Sequence, residues 1–504
     1  MSNLRESLIG YADWLGYGHG ERAEVWLQRL EINRPELNYF RAQPLPSCPA
    51  YVAIPAPMPV PDGASDLAQH IAATPPTEVL DAIARARDLA AWNMFTWLSD
   101  QTPRHEPGFL GGMPVAVKDL MAIAGIPLSG GSAAVEHLTA LRDAEVIARL
   151  RRAGAVFIGA TNLHELAYGI TSDNPRFGRV MNPAVPDRIP GGSSGGSAAA
   201  IAAGIVHAAL GTDTAGSIRV PAACCGIVGF KPSYDVLPRD GVMDLAPSLD
   251  HVGPLGRTVA DTAALFAAML DLPSMPAWRY TGLAGRRIAR LAGYFDQPLD
   301  PCLRDALAEA MRALAEDGAA CSVTQIDGME AAAAIQLNTI CAEASATHNE
   351  RLQKRGEALG EDVRVRLEIG NFLPGHWYVK AQKMRRQLAN HMDAAFDQAD
   401  FLICPTMRAP APPVGAARVD IEGRSYALHT AVTQLTMPFN LTGHPAISIP
   451  WSQTQDGVPL ALQIIGRRGA DWQVLAVAER LEHLSPWSKR KTAANSKKNR
   501  HAGN

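Results

Sequence analysis

The 504-residue sequence lacks a charge excess of either sign, because 47 Lys and Arg residues balance 50 Asp and Glu residues. The net charge of -3 argues against a strongly basic nucleic-acid binder and a strongly acidic tail protein. Long apolar runs are also missing. The longest, residues 198–210, contains Gly204 and His207 and is far shorter than the roughly 20 residues of a membrane span. We therefore expect neither a nucleic-acid nor a membrane partner.

Disulfide, secretion and metal-binding patterns are absent as well. The seven cysteines include no C-x-x-C pair, and Cys224 and Cys225 are adjacent, which argues against a disulfide framework. The N-terminus shows no basic region followed by an apolar stretch, so we expect a cytoplasmic protein with reduced thiols. HELAY at 164–168 lacks the second His of H-E-x-x-H, and no Cys or His ligands cluster. Neither a metal nor an organic cofactor is expected.

Three regions differ in composition. Residues 1–60 contain a predicted amphipathic helix over 21–37, followed by a strap with seven prolines in residues 44–63. One helix does not bury its own apolar face, so this extension is predicted to dock on the rest of the chain. Residues 61–484 begin with a predicted helix over 76–97 and then alternate short apolar runs with helical stretches, which is typical of an α/β sheet. Residues 485–504 form a polar, basic tail that is predicted to be disordered.

The most unusual segment is PGGSSGGSAAA at residues 190–200. A flexible linker would not continue into an apolar helix, and a phosphate-binding loop would require a G-K-S/T or G-x-G-x-x-G pattern. A nucleophile elbow fits G-x-S-x-G at Ser193 or Ser194. The acid and base of that elbow would come from Asp250, His251 and His376.

A second small-residue motif, GTDTAGS, places Ser217 24 residues after Ser193. In such a turn several backbone N–H groups point to one spot beside the serine hydroxyl, as an oxyanion hole requires. The candidate donors are Thr214, Ala215, Gly216 and Ser217. Upstream, Lys118 ends the apolar run MPVAV, and a desolvated lysine has a lowered pKa and can act as a base. This two-serine interpretation competes with the elbow.

At this point the chain resembles the amidase signature family, through the ordered strings GGMPVAVKD, PGGSSGGSAAA and GTDTAGSIRVPAACCGIVGFKPS. The resemblance covers about residues 76–482. It implies a large mixed β-sheet with helices on both faces and a Ser–cis-Ser–Lys triad. In that triad Ser217 is the nucleophile that forms an acyl-enzyme, Ser193 the bridging serine after a cis peptide bond, and Lys118 the base. Asp119, Asp213 and Arg219 recur in the family's strings, and we take them as structural.

Four details narrow the expected substrate. Ala215 stands where the family usually has glycine, and the string TDTAGS is similar to that of allophanate hydrolases, which act on small urea-like compounds. Residues 376–466 resemble carboxybiuret hydrolases, whose small helical partner subunit is similar to the N-terminal extension here. Thr433 occupies the place of an aspartate in tRNA-dependent glutaminase subunits, so glutamine is disfavoured.

The sequence therefore predicts an amidohydrolase that cleaves a small linear amide or urea-like compound. A serine esterase or amidase of the α/β-hydrolase type and a non-catalytic binding subunit remain alternatives. A homodimer is compatible with the sequence. The predicted substrate-binding residues are Ala167, Tyr168, Gly192 and Arg385.

Overall fold

Short apolar segments pair into one eleven-stranded sheet in the computed structural model of the chain. The structure describes residues 22–48, 50–51, 58–61, 76–100, 106–136 and 138–488. The predicted disorder of the basic tail therefore lies outside the described residues from position 489 onward.

The strands are β1 Phe95–Leu98, β2 Pro114–Lys118, β3 Pro127–Leu128, β4 Leu138–Thr139, β5 Val156–Thr161, β6 Ala208–Asp213, β7 Val228–Lys231, β8 His251–Gly256, β9 Arg287–Leu291, β10 Ala320–Thr324, β11 Phe401–Pro405, β12 Arg418–Ile421, β13 Arg424–Ala427, β14 Ala446–Gln453 and β15 Pro459–Gly466. The large sheet has the order β1-β5-β2-β6-β8-β7-β14-β15-β11-β9-β10. Two runs, β5-β2-β6 and β11-β9-β10, are parallel, and the other neighbours are antiparallel. The predicted mixed sheet is confirmed.

The helices are α1 Ala23–Ile32, α2 Arg34–Ala42, α3 Pro76–Asp88, α4 Glu145–Arg152, α5 Gly195–Ala202, α6 Arg219–Cys225, α7 Val259–Met269, α8 Pro301–Glu316, α9 Ala332–Arg355, α10 Glu361–Gly370, α11 Gly375–Ala395, α12 Leu428–Thr433, α13 Met437–Thr442 and α14 Asp471–Leu484. They cover both faces of the sheet. Along β2, Val115 and Val117 belong to the apolar cluster that includes α7, whereas Ala116 packs in a separate cluster with α5. This alternation explains why β2 is buried at every residue and reads as a continuous apolar run.

Two predicted helices differ in the structure. The helix expected over 76–97 ends at Asp88, and residues 95–98 form edge strand β1 on β5. Asn93, with a φ of 54°, turns the chain between them, and the following Phe-Thr-Trp segment favours a strand. The helix expected over 21–37 is two helices, α1 and α2. Pro35 lies in the first turn of α2, where its missing N–H costs nothing.

In the described part of the N-terminal extension, residues 22–48 dock on α10 and α11, as predicted for the extension. Trp26 is buried, and its indole N–H donates to Glu368 Oε2 at 2.7 Å. Arg22 donates to the same carboxylate oxygen. Farther along, Lys380 Nζ donates to the carbonyl oxygens of Phe40 and Gln43 at 2.7 and 2.6 Å. Helices α1 and α2 are thus fixed against the helical layer formed by α9, α10 and α11.

Candidate active site

Two parallel neighbouring strands inside the sheet, β2 and β6, bring the first site residues together where both strands end. Lys118, the last residue of β2, is fully buried. Its Nζ lies 2.7 Å from Ser193 Oγ and 2.7 Å from Thr212 Oγ1 of β6. Burial lowers the pKa of Lys118 to about 7, although the carboxylates of Asp213 and Asp250 act in the opposite direction. A large fraction of Lys118 is therefore neutral near pH 7, as a general base must be.

The two glycine- and serine-rich loops lie against each other beside this lysine. The peptide bond between Gly192 and Ser193 is cis, as the resemblance implied. The backbone N–H of Ser194 donates to the carbonyl oxygen of Ser217 at 3.2 Å. Ser193 and Ser194 are fully buried, whereas Ser217 is 5% exposed and lines a cavity. Of the three serines, Ser217 is the one in the cavity wall.

The partners expected for a nucleophile elbow lie elsewhere. His251 Nδ1 contacts the carbonyl oxygen of Leu249 at 2.7 Å, and the His251 ring packs edge-on against Tyr234. Asp250 accepts a hydrogen bond from Thr214 Oγ1 at 2.6 Å, and His376 is exposed at the start of α11. In the described part of the chain no histidine ring hydrogen bonds to the hydroxyl group of Ser193 or Ser194; the one contact of this kind is between backbones, from the His164 N–H to the Ser193 carbonyl oxygen at 3.1 Å. The geometry therefore does not support the elbow.

A buried ion pair shapes the loop that precedes Ser217. Arg219 and Asp213 are fully buried and 3.0 Å apart. The Asp213 carboxylate also accepts the backbone N–H groups of Gly216 and Ile218, at 2.7 and 3.2 Å. Burial alone would raise the pKa of Asp213, but the Arg219 guanidinium lowers it well below its usual range. Asp213 and Arg219 thus brace the loop, as expected from the sequence.

This bracing corrects part of the predicted oxyanion hole. The Gly216 N–H is directed to Asp213, and one N–H makes one strong hydrogen bond. Within the described residues, the N–H groups of Ala215 and Ser217 have no protein acceptor. Thr214 is anchored on both sides, because its hydroxyl donates to Asp250 and its carbonyl oxygen accepts from Gln336 Nε2 at 3.1 Å.

The loop before Ser217 requires a glycine at position 216, both for its backbone conformation and for space. The φ of Gly216 is 131°, and a Cβ there would lie 2.2 Å from Thr436 Oγ1, which donates to the Ala215 carbonyl oxygen. Gly216→Ala is therefore expected to displace the loop and to reduce kcat by about 100-fold or more. Gly375→Ala is the matched control, because a Cβ at Gly375 meets nothing within 4 Å. Steady-state assays of both variants test this expectation, and equal activity of the two would contradict it.

The cavity beside Ser217 has a volume of about 840 Å³. Ala167 and Tyr168 line it, as predicted, together with Thr214 and Ala215. Ala167 has a φ of 60°, so the turn that carries it presents the backbone in an uncommon conformation. The Tyr168 hydroxyl lies 3.4 Å from Cys341 Sγ of α9. The cavity thus lies between the loops that carry Ala167 and Ser217, on one side, and the helical layer, on the other.

Two predicted substrate-binding residues are elsewhere. Arg385 is buried and uses its guanidinium on the Leu441 carbonyl oxygen at 2.6 Å, on Ser248, and on the ring of Tyr51 at 4.1 Å. It therefore fixes the strap and α13 instead of lining the cavity. Gly192 is also absent from the cavity wall. A Cβ there would lie 2.8 Å from the backbone of Ile170, so this glycine permits close packing of two segments.

Sequence reasoning missed Thr212 and Gln336. Thr212 precedes Asp213 on β6, and its position within GTDTAGS was a usable signal. Gln336 comes from α9, more than 100 residues away, and the sequence carries no sign of its contact. Asp119 is satisfied by Thr96 and Ser129, on the side away from Lys118, in agreement with its expected structural role.

The described residues carry neither a metal-ligand cluster nor a membrane span. Where the chain is described, no three His, Cys, Asp or Glu side chains gather as metal ligands. Among the same residues, no helix combines the length and apolarity that crossing a bilayer requires. The expectation of metal-free chemistry stays a prediction.

Comparison with known proteins identifies the family. The profile of the Amidase family matches residues 76–475. A glutamyl-tRNA(Gln) amidotransferase subunit from Cyanothece sp. is 35% identical over 424 residues, which are 76% of this chain and 86% of that protein. A crystal structure of an amidase is similar with a TM-score of 0.76 and 33% identity, over 82% of this chain and 96% of that one. A structure described as a vestigial protein complex that reveals the evolutionary origins of an s-triazine catabolic enzyme is similar with a TM-score of 0.76 and 32% identity, over 83% of this chain and 96% of that one. The chain therefore belongs to the amidase family, as a hydrolase of carbon–nitrogen bonds.

Proposed function

We propose that this protein hydrolyses the carbon–nitrogen bond of a small linear amide or urea-like compound through an acyl-enzyme on Ser217. The observation that carries the proposal is the buried contact of 2.7 Å between Lys118 Nζ and Ser193 Oγ, next to the cavity that Ser217 lines. Burial makes the charged form of Lys118 costly, and the lowered pKa leaves a neutral amine beside Ser193 that is able to accept a proton.

In the first half-reaction, Lys118 takes a proton from Ser193, which takes one from Ser217. Ser217 Oγ attacks the amide carbon, and the N–H groups of Ala215 and Ser217 stabilise the resulting oxyanion. When the carbonyl re-forms, the carbon–nitrogen bond breaks, and the proton returns through Ser193 to the leaving amine.

In the second half-reaction, water gives its proton to the same relay and attacks the acyl carbon. Collapse of this intermediate breaks the bond to Ser217 Oγ, which recovers a proton from Ser193. The products are the carboxylic or carbamic acid and the amine or ammonia. Over the two half-reactions Lys118, Ser193 and Ser217 give up every proton that they take, and water is the reactant added to the amide.

Two residues support a small substrate other than glutamine. The Ala215 methyl group occupies the wall beside Ser217, where a glycine would leave more space. Thr433 is buried and donates to the His429 carbonyl oxygen at 2.8 Å, so that position offers no carboxylate to an ammonium group. The names of the amidotransferase relatives nevertheless make glutamine the necessary comparison substrate.

The test is ammonia release from a panel of ureas, biurets, short aliphatic amides, aryl amides and glutamine. It is combined with hydroxylamine trapping and mass spectrometry of the peptide that contains Ser217. We expect turnover of short amides or ureas and an acyl adduct on Ser217. Turnover of glutamine alone would replace the small-amide assignment, and the absence of any adduct or turnover would favour a non-catalytic binding subunit.

A further inference from the structure

The N-terminal extension forms part of the cavity wall. Arg29 and Glu36, from α1 and α2, line the same cavity as Ser217. These residues belong to the docked segment and are distant in sequence from the rest of the site. The extension is therefore in a position to influence which substrates the cavity accepts.

The Arg29 guanidinium lies near one carboxylate without a hydrogen bond to it. The guanidinium makes no hydrogen bond to any described residue, and its nearest carboxylate, Asp362 Oδ1, is 3.9 Å away. That carboxylate already accepts two hydrogen bonds from Arg366 to Oδ1, at 3.2 and 2.9 Å, and its Oδ2 contacts His164 Nε2 at 3.3 Å. Two guanidinium groups in the cavity wall thus share one carboxylate.

Four further carboxylates line the cavity, those of Glu36, Glu165, Asp173 and Glu361. Glu361 forms an ion pair with Arg22 at 3.1 Å. Glu165 accepts hydrogen bonds from Ser132 Oγ at 2.5 Å and from the Gly360 N–H at 2.8 Å. Burial raises the pKa of Glu36. Where the wall is described, Arg29 is thus a guanidinium that no carboxylate holds by a hydrogen bond.

The pKa of Arg29 reflects the neighbouring guanidinium more than the nearby carboxylate. The neighbouring Arg366 guanidinium, assisted by burial, lowers the pKa of Arg29 to about 10, in spite of Asp362. Arg29 is still a cation at neutral pH. An anion between the two guanidinium groups would relieve their repulsion and would receive charge-assisted hydrogen bonds.

We propose that Arg29, together with Arg366, binds a carboxylate at the end of the substrate remote from the amide, so that Arg29 determines specificity for anionic amides. The N-terminal extension thereby supplies a substrate-binding residue to the catalytic domain. This inference rests on the proposed amide hydrolysis and names the substrate class of that site.

Matched substrates test the inference. Malonamate, succinamate and glutaramate carry a carboxylate at increasing distance from the amide, and acetamide, propionamide and butyramide serve as neutral counterparts. We expect Arg29→Gln to raise KM for the best anionic amide about tenfold or more. It should change kcat and the neutral substrates by less than about twofold, and Arg29→Lys should recover part of the loss. Arg34→Gln is the control, since Arg34 is an exposed residue of the same segment that pairs with Glu31.

A binding measurement separates this inference from the proposed function. Calorimetric titration of Ser217→Ala with malonate, succinate and glutarate requires no turnover, and Arg29→Gln in that background should weaken the tightest of them about tenfold. Equal binding with and without Arg29, or an equal effect on anionic and neutral amides, would overturn the anion subsite. Hydrolysis of neutral amides alone would leave the proposed function intact, whereas dicarboxylate binding without any hydrolysis would contradict only the latter. An unchanged melting temperature shows that Arg29→Gln leaves the extension docked.

Discussion

Ser217→Ala is expected to reduce amide turnover by about three orders of magnitude or more while leaving the fold intact. The hydroxyl is the only part of Ser217 that is removed, and the side chain lies at the cavity wall instead of in the apolar core. Its backbone carbonyl, which accepts from the Ser194 N–H, is retained. The measurement is single-turnover hydrolysis, with circular dichroism and melting temperature as checks on folding.

Ser194→Ala provides the comparison for this result. Ser194 Oγ donates to the Thr212 carbonyl oxygen at 3.2 Å and is fully buried away from the cavity. Removal of this hydroxyl should lower the melting temperature clearly while it changes the rate of the chemical step only slightly. If Ser217→Ala kept a tenth of the wild-type rate and Ser194→Ala were inactive, the assignment of the nucleophile would be wrong.

Lys118 is expected to govern the pH dependence of kcat/KM. The base acts when it is neutral, and its pKa is lowered to about 7. The rate should therefore rise about tenfold per unit below pH 7 and become flat above about pH 8. The sign follows from deprotonation: each step toward higher pH increases the neutral fraction until the titration is complete. A profile measured from pH 5 to 10 checks this prediction.

Two variants of Lys118 separate its role as a proton acceptor from the effect of its positive charge. Lys118→Ala should remove most of the rate together with the pH-dependent rise. Lys118→Arg keeps a cation that stays protonated throughout this range, so it should also be inactive at every pH. A flat wild-type profile, under conditions where chemistry limits the rate, would exclude lysine as the base.

The sequence was most informative where function depends on short, contiguous strings. Lys118, Ser193 and Ser217 each lie in a glycine-rich or strand-ending motif whose local geometry is dictated by small residues, and the structure brings their loops together. The strands were also readable, because fully buried strands give uninterrupted apolar runs.

The sequence was least informative where a contact joins distant elements. Gln336 and Arg29 reach the site from helices whose placement depends on tertiary packing. Arg385 was assigned to the substrate from the resemblance of residues 376–466 to carboxybiuret hydrolases, yet its guanidinium donates to backbone carbonyl oxygens of other elements. Residues 95–97 were predicted as the end of a helix because periodicity does not reveal that β5 has a free side on which a further strand pairs.

Docking of the N-terminal extension on its own chain also determines how the cavity responds to dilution. A separate protein in the same place would dissociate once its concentration fell below its Kd. A segment joined by peptide bonds instead experiences an effective concentration, on the order of millimolar for a short flexible connection, that does not depend on the amount of enzyme. The wall that carries Arg29 should therefore remain complete at nanomolar protein, and specific activity should be constant across that range.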